Sequence, residues 1–238
     1  MRVVQFAGWS GTGKTTLVEG VLRVVPRGLT AGVVKHLGGE HPFGLEPGRD
    51  TTRLYTGGAA VVTGIDREKG VTLVRADSLE AALDRLSDAG CDLALVEGFK
   101  TVPFARVVVG DLPSERVVLR DPSPEEVVAA LDRFDEYHSP GGLLLACRRE
   151  TGVTDGVECT CRVPVGPARS TDPAHLAALE ARCRAVPGVV GVKVHGRVYP
   201  EGGQILVALI ARDPGAAAAA LASFGSVNRG TADRGGQE

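Results

Sequence analysis

The sequence has no run of like charge and no long apolar stretch, and each absence removes a class of function. Acidic and basic residues nearly cancel, 29 against 27, and are scattered along the chain. It therefore offers neither the basic stripe of a non-specific nucleic-acid binder nor a surface for anionic membranes. No apolar segment reaches the roughly 18 residues that a membrane span needs. Residues 1–7 run straight into a glycine-rich loop, with no secretory leader expected ahead of it. Cysteine is scarce and odd in number, five in 238 residues, and Cys91 sits inside an apolar segment. That usage fits reduced thiols in a cytoplasmic protein better than a disulfide framework. Cys159 and Cys161 bracket one residue and have no partner pair, which is too few ligands for a zinc site. Lysine occurs only at positions 14, 35, 69, 100 and 193, and no repeat relates the two halves.

What is present suggests two modules, since 238 residues exceed the roughly 100–150 of a common single domain. RVVQFA (2–7) is β-rich and leads through GWSGTGKTT into LVEGVLRVV, where Leu17, Val21, Leu22 and Val25 fall at helical spacing before Pro26. TAGVVKH (30–36) predicts a second strand, then a turn-rich loop and a short helix from Asp50. AAVVTGI and GVTLVRA predict a hairpin around Asp66 to Gly70. Asp77 and Glu80 have the spacing of a capping box for the helix LEAALDRLSDAG, closed by Gly90. CDLALVE (91–97) is the continuous apolar run of a strand buried on both faces. ARVVVG and ERVVLR add strands, and Ser123, Pro124 and Glu126 start the helix EEVVAALDRF. Strands alternating with helices predict an α/β fold of the doubly wound P-loop NTPase type, with a mainly parallel sheet, over residues 1–136. Past DEYHSPGG (135–142) the rhythm changes, and residues 141–227 predict a smaller α+β domain. It comprises the apolar run GLLLAC, a helix from Asp172 and Pro173 to Pro187, the strands VVGVKVHGRV and GQILVALIA, and a helix from Asp213 and Pro214. The tail, 228–238, lacks large apolar residues and is expected to be disordered.

The chemistry is concentrated in Gly8-Trp9-Ser10-Gly11-Thr12-Gly13-Lys14-Thr15, a full match to G-x-x-x-x-G-K-[ST] placed after a strand and before a helix. Glycines let backbone N–H groups converge on phosphate oxygens, and the helix N-terminus adds partial positive charge. Lys14 is expected to reach the terminal phosphates, and the Thr15 hydroxyl to take a place on Mg²⁺. In such a sheet ligands lie outside the carboxyl ends of the strands. Glu97, at the end of CDLALVE, should then face the same crevice and meet the metal shell or a catalytic water, with Gly98 allowing close backbone approach. A plain solvent-exposed strand end is the alternative for Glu97. Asp50 is either a second metal-shell acid or a simple N-cap.

The set GWSGTGKTTL, GVVKH, GRDTTRLYTGGA and LALVEGFK, in this order, resembles the molybdopterin-guanine dinucleotide biosynthesis protein B (MobB) family over about residues 1–135. The resemblance implies a GTP-binding protein with weak GTPase activity, working beside the MobA-like nucleotidyltransferase that attaches GMP to molybdopterin. It assigns Gly8, Ser10, Gly11, Thr12, Gly13, Lys14, Thr15 and Thr16 to the nucleotide phosphates, and Thr15, Asp50 and Glu97 to Mg²⁺. Lys14, Asp50 and Glu97 become the candidate catalytic residues, and Lys35, His36, Arg53, Gly98 and Lys100 line the crevice. His36 reads equally as an ordinary loop histidine. TVPFARVVVGD is more apolar than the segment the family usually has after VEGFK. No N-K-x-D guanine signature occurs, so GTP over ATP follows from the resemblance alone.

The segment VKVHGRVYPEGGQILVALIARDPGAAAAALASF resembles part of the catalytic subunit of molybdopterin synthase (MoaE), in which a strand ends in a turn bearing His and Arg. That likeness implies the synthase small subunit as a partner, with His195 and Arg197 either binding an anionic pterin phosphate or lying in an exposed turn. The lysines on which that family's sulfur transfer depends are absent from SVNRGTADRGGQE. A homodimer is the expected assembly. Two other functions use the same residues: a small-molecule kinase, with Arg49 and Arg53 over the nucleotide, and a non-catalytic adaptor whose second module docks partner enzymes.

Overall fold

The computed structural model describes residues 1–37, 44–75, 77–199 and 202–225. The expected disordered tail, 228–238, and part of the loop after Lys35 lie outside the described residues. The first half runs β1 (Arg2–Gly8), α1 (Lys14–Val24), β2 (Ala31–Lys35), α2 (Asp50–Thr56), β3 (Val61–Ile65), β4 (Gly70–Val74), α3 (Leu79–Asp88), β5 (Leu93–Glu97), β6 (Arg106–Val109), β7 (Val117–Arg120), α4 (Pro124–Ala129) and β8 (Asp135–Glu136). The strands β2-β5-β1-β6-β7 form a parallel sheet in that order, and β8 pairs antiparallel with the start of β1. β1 lies at the centre with all but Arg2 buried, because its apolar residues are covered on both faces. On one face α1 and α4 pack Val18, Val21 and Val127 against Val4, Phe6, Leu95 and Val107. On the other, α3 packs Leu83 against Val3, Ala94 and Val96. Helices on both faces of a mainly parallel sheet make this the doubly wound α/β fold, as expected.

β3 and β4 form the expected antiparallel hairpin, its turn held by the Asp66 carboxylate accepting from the Glu68 and Lys69 amides, each at 2.8 Å. The capping box at Ser123 and Glu126 is complete. The one expected at Asp77 is not: Ser78 caps α3 by accepting from the Ala81 amide at 3.1 Å, and Asp77 pairs with Arg85 instead. A hydroxyl three residues before a free amide is the better-placed acceptor.

The second half runs α5 (Pro140–Thr151), β9 (Val157–Val165), α6 (Pro167–Thr171), α7 (Pro173–Arg184), β10 (Val189–Tyr199), β11 (Gly202–Ala211) and α8 (Pro214–Gly225). Its antiparallel sheet has the order β10-β11-β9. β11 is buried on both faces: Ile205, Val207 and Leu209 meet α7 and α8, whereas Leu206, Ala208 and Ile210 meet Leu143 and Cys147 of α5. The run GLLLAC is thus helical, started by Ser139, whose hydroxyl accepts from the Gly142 amide at 2.8 Å. Cys159 and Cys161 belong to β9, where Val157, Cys159, Cys161, Val163 and Val165 alternate toward the core. All five cysteines are free.

The strand expected over VVGVKVHGRV forms as β10, paired with β11 from Tyr199 back to Val189, and the exposed turn weighed for His195 and Arg197 is not found. Arg197 is not exposed. It is 5% accessible and stacks over the Tyr137 ring at 4.1 Å while facing Asp84 (3.4 Å) and Glu80 (3.3 Å) of α3. Tyr137 donates to Asp84 at 2.7 Å, so the two sheets meet through charge and hydrogen bonds as well as through α5. Among the described residues no helix is long and apolar enough to cross a membrane.

Replacing Arg197 with Ala removes the guanidinium that faces Asp84 and Glu80 and stacks on the Tyr137 ring at this joint. Because Asp84 and Glu80 keep some solvent contact, the expected loss is about 2–4 kcal/mol of stability, read from the urea midpoint of the full chain.

Candidate functional site

The glycine loop leaves β1 at Gly8 and enters α1 at Lys14. Gly11 (φ 76°) and Gly13 (φ 89°) occupy the left-handed region that side chains with a Cβ resist. A Cβ on Gly8 would lie 2.5 Å from the Val109 carbonyl oxygen, so loop and β6 touch backbone to backbone. Thr12 closes the loop by donating to the Trp9 carbonyl at 2.9 Å, and the Lys14 ammonium donates to the same oxygen.

Glu97 ends β5 with 8% of its surface accessible. Its buried carboxylate needs donors, and two elements supply them. Thr15, at the start of α1, donates toward Oε2 at 2.9 Å and Oε1 at 3.0 Å, and Lys35, at the end of β2, stands 3.2 Å from Oε1 and 3.0 Å from the Thr15 hydroxyl. Lys100 crosses from the far side to place its ammonium 4.7 Å above the Trp9 ring. Burial draws the Lys14 ammonium below the usual lysine range; the Glu97 charge opposes this, and Lys100 and Lys35 add to it. Three of the chain's five lysines therefore gather around one carboxylate, and three positive charges less one negative leave a net of two. That field attracts a polyanion.

The turn after Glu97 is built to hold this geometry. Gly98 (φ 96°) and Phe99 (φ 51°) are both left-handed, and a Cβ on Gly98 would lie 2.8 Å from the His36 Cβ. His36 donates its amide to the Glu97 carbonyl at 2.9 Å and packs its ring on Phe99, with centroids 4.8 Å apart. Two buried polar residues secure the turn from beneath, and neither was among the candidates read from the sequence. Gln5, fully buried in β1, donates to the Gly98 (2.9 Å) and Phe99 (2.6 Å) carbonyls. Arg106, at the start of β6, donates to the Lys100 (3.0 Å) and Phe104 (3.2 Å) carbonyls and to that of Val102. A lone amide and a lone guanidinium inside otherwise apolar strands are the signal that could have found them.

Asp50 stands apart. Arg49 is the N-cap of α2, without a side-chain cap, and Asp50 is its first residue, with a 90% accessible side chain 3.4 Å from Arg53. Among the described residues no hydrogen bond or ion pair links Asp50 or Arg53 to Thr15, Lys35 or Glu97. The structure thus brings Lys14, Thr15, Lys35, Glu97, Gly98 and Lys100 together, with His36 packed behind them.

A strand, a glycine loop, a helix and an acid ending the adjacent parallel strand define a P-loop α/β protein. Comparison with known proteins narrows the class. The family model of molybdopterin guanine dinucleotide synthesis protein B (MobB) matches residues 3–131, and the chain belongs to that family. It is 32% identical over 130 residues to the molybdopterin-guanine dinucleotide biosynthesis adapter protein of Escherichia coli (strain K12), which covers 50% of this chain and 73% of that one. To the probable adapter protein of the same name from Bacillus subtilis (strain 168) it is 30% identical over 139 residues, covering 57% and 78%. Among solved structures it resembles Bacillus subtilis MobB, with TM-score 0.43, 22% identity and coverage of 58% of this chain and 100% of that one. It also resembles a MobB homologue from Bacillus stearothermophilus, with TM-score 0.35, 25% identity and coverage of 58% and 74%. The family match ends before the second sheet begins.

Gln5→Leu removes the donor shared by the Gly98 and Phe99 carbonyls. The expected cost is roughly 1–2 kcal/mol in chemical denaturation, since those carbonyls lose a partner in a partly buried turn.

Proposed function

We propose that residues 1–136 bind GTP together with Mg²⁺, hydrolyse it slowly, and serve as an adapter in attaching GMP to molybdopterin. The observation that carries this reading is the Thr15 hydroxyl set against both oxygens of the Glu97 carboxylate, one residue beyond the Lys14 ammonium. The donor set fits a hard cation: a hydroxyl and a carboxylate are oxygen ligands of the kind magnesium takes, with water completing the shell. When bound, Mg²⁺ supplies charge neutralisation between phosphate oxygens.

The chain's own residues do the rest. Gly8 to Gly13 present backbone N–H groups that a Cβ at Gly11 or Gly13 would disfavour, so the phosphate cradle depends on those glycines. Lys14 turns its ammonium from the Trp9 carbonyl to the phosphates, and Lys35 and Lys100 add charge at the rim. Glu97 positions the Thr15 hydroxyl and, with Mg²⁺ bound, would orient water beside it. Thr16 follows on α1 as a further phosphate-side hydroxyl, and Ser10 lies in the loop. Asp50 and Arg53, exposed on α2, reach this crevice only by movement of that helix. Guanine preference rests on family membership, as does the partnership with a MobA-like nucleotidyltransferase; relatives bearing the adapter name support the second point. Residues 141–227 form the docking unit. Lys193, the lysine of that unit, is held by Glu150 at 3.0 Å, which argues against a sulfur-transfer role.

Isothermal titration of the full chain with GTP and ATP, with and without Mg²⁺, tests the reading. GTP is expected to bind more tightly than ATP. Lys14→Ala should weaken GTP binding roughly 10- to 100-fold, the loss of one charged contact. Glu97→Gln should keep nucleotide binding but lose most of its Mg²⁺ dependence and its phosphate release. Equal binding of GTP by the Lys14 variant sinks the site, and a phosphorylated small molecule among the products would mark a kinase.

A further inference from the structure

A second polar cluster lies where the two sheets meet, on the side of β1 away from the glycine loop. Glu136 of β8 and His138, in the link to α5, are joined by a 2.9 Å hydrogen bond between Glu136 Oε1 and His138 Nε2. His195 of β10 comes from the second sheet and sets its ring edge-on to His138, with centroids 5.0 Å apart and planes at 77°. One ligand atom from each of the three residues falls within 4.8 Å of the others. The Nε2 atom of His195 is buried and has no hydrogen-bond partner among the described residues. A buried ring nitrogen without a partner is costly, and a cation is one group that relieves it.

From this geometry we infer that Glu136, His138 and His195 form a site for a divalent transition-metal ion, Zn²⁺ by preference, that clips the second sheet to the first. Two imidazoles and one carboxylate are a donor set of borderline softness, suited to Zn²⁺ and poorly matched to the all-oxygen shells of Mg²⁺ and Ca²⁺. Zn–N and Zn–O bonds of about 2.0–2.2 Å place neighbouring tetrahedral ligands about 3.3 Å apart. The three atoms reach that spacing by small side-chain rotations, with the ion taking the place of the proton shared by Glu136 and His138, which moves to the other nitrogen of the His138 ring. Three protein ligands leave a fourth position for water. His138 also lines a cavity of about 370 Å³ together with Met1, Asp92, Arg149 and Lys193, which gives that water a route to solvent. Lys193 and the Met1 amine place positive charge nearby, so direct coordination must hold the ion. The ligands come from both sides of the joint, so the ion would act as a cross-link between sheets.

The test uses the full chain, stripped by chelator and kept free of nucleotide. Zn²⁺ is titrated by calorimetry, Co²⁺ by visible absorption, and melting is followed with and without Zn²⁺. Expected are one Zn²⁺ per chain with a dissociation constant below about 10 µM, a Co²⁺ spectrum of tetrahedral nitrogen and oxygen ligation, and a higher melting temperature with metal. His195→Ala should weaken Zn²⁺ binding about 100-fold and Glu136→Gln about tenfold, and both should abolish the Zn²⁺-dependent rise in melting. His175→Ala and Cys161→Ser should change neither. Should the His195 variant not fold, the Co²⁺ spectrum of the unaltered chain decides. Binding weaker than that limit, a thiolate-to-cobalt band, or unchanged affinity in His195→Ala overturns the proposal. The Lys14→Ala chain should keep its Zn²⁺ site, which separates this outcome from failure of the nucleotide reading.

Discussion

The first half of the molecule is organised by the need to satisfy one buried carboxylate. Glu97 is carried into the interior by β5, and a charge there is tolerable only with donors at hand. Those donors come from two other elements, Thr15 of α1 and Lys35 of β2, so satisfying the charge fixes three elements at a single point. The parallel register makes this possible, because β2 and β5 end together at Lys35 and Glu97 and β1 passes the same level at Phe6. The glycine loop begins two residues later. Close approach of loop to acid is therefore a consequence of strand order and register.

Around that point the chain adopts backbone conformations that would otherwise be unfavourable. Gly98 and Phe99 are consecutive left-handed residues, and left-handed phenylalanine is costly without support. Gln5 provides it from the central strand, donating to both carbonyls from a fully buried position. Arg106 does the same for the following loop, its guanidinium surrounded by carbonyl oxygens. These residues touch the candidate site only through backbone, yet they decide where Glu97 and Lys100 sit. They are positioning residues for a loop, GFKTVPFA (98–105), that forms no regular element of its own.

The alternation of strands and helices was legible in the sequence because periodicity is a local property. β1, α1, the hairpin, β5 and the capped α4 all follow from it, as does the convergence of Thr15 with Glu97, which needs only the rule that ligands gather at the carboxyl ends of parallel strands. What was not legible depends on long-range neighbours. The V-x-C-x-C-x-V-x-V alternation of β9 was present, but the cysteines were weighed as ligands and not as small apolar side chains, the role they play against α7 and α8. GLLLAC is helical because Ser139 and Pro140 start a helix that β11 then covers. Arg197, within the expected strand VVGVKVHGRV, is buried and not exposed because Glu80, Asp84 and Tyr137, which lie far away in sequence, receive it.

The joint between the sheets differs in kind from the cores on either side of it. An apolar joint would tolerate many relative orientations at similar cost, whereas a guanidinium stacked on Tyr137 and facing two carboxylates of α3 has one geometry in which every group is met. Ser139 adds to this, its amide meeting the Ser87 hydroxyl at 2.9 Å where Gly142 and Ser87 leave no room for a Cβ. The same helix, α3, leads through Gly90 into β5 and so to Glu97. The second sheet is therefore anchored on the strand–helix unit that positions the site carboxylate, and its orientation is referred to the crevice through one rigid segment of chain. A unit held this way presents its surface at a defined angle to the glycine loop, which a flexible tether would not provide.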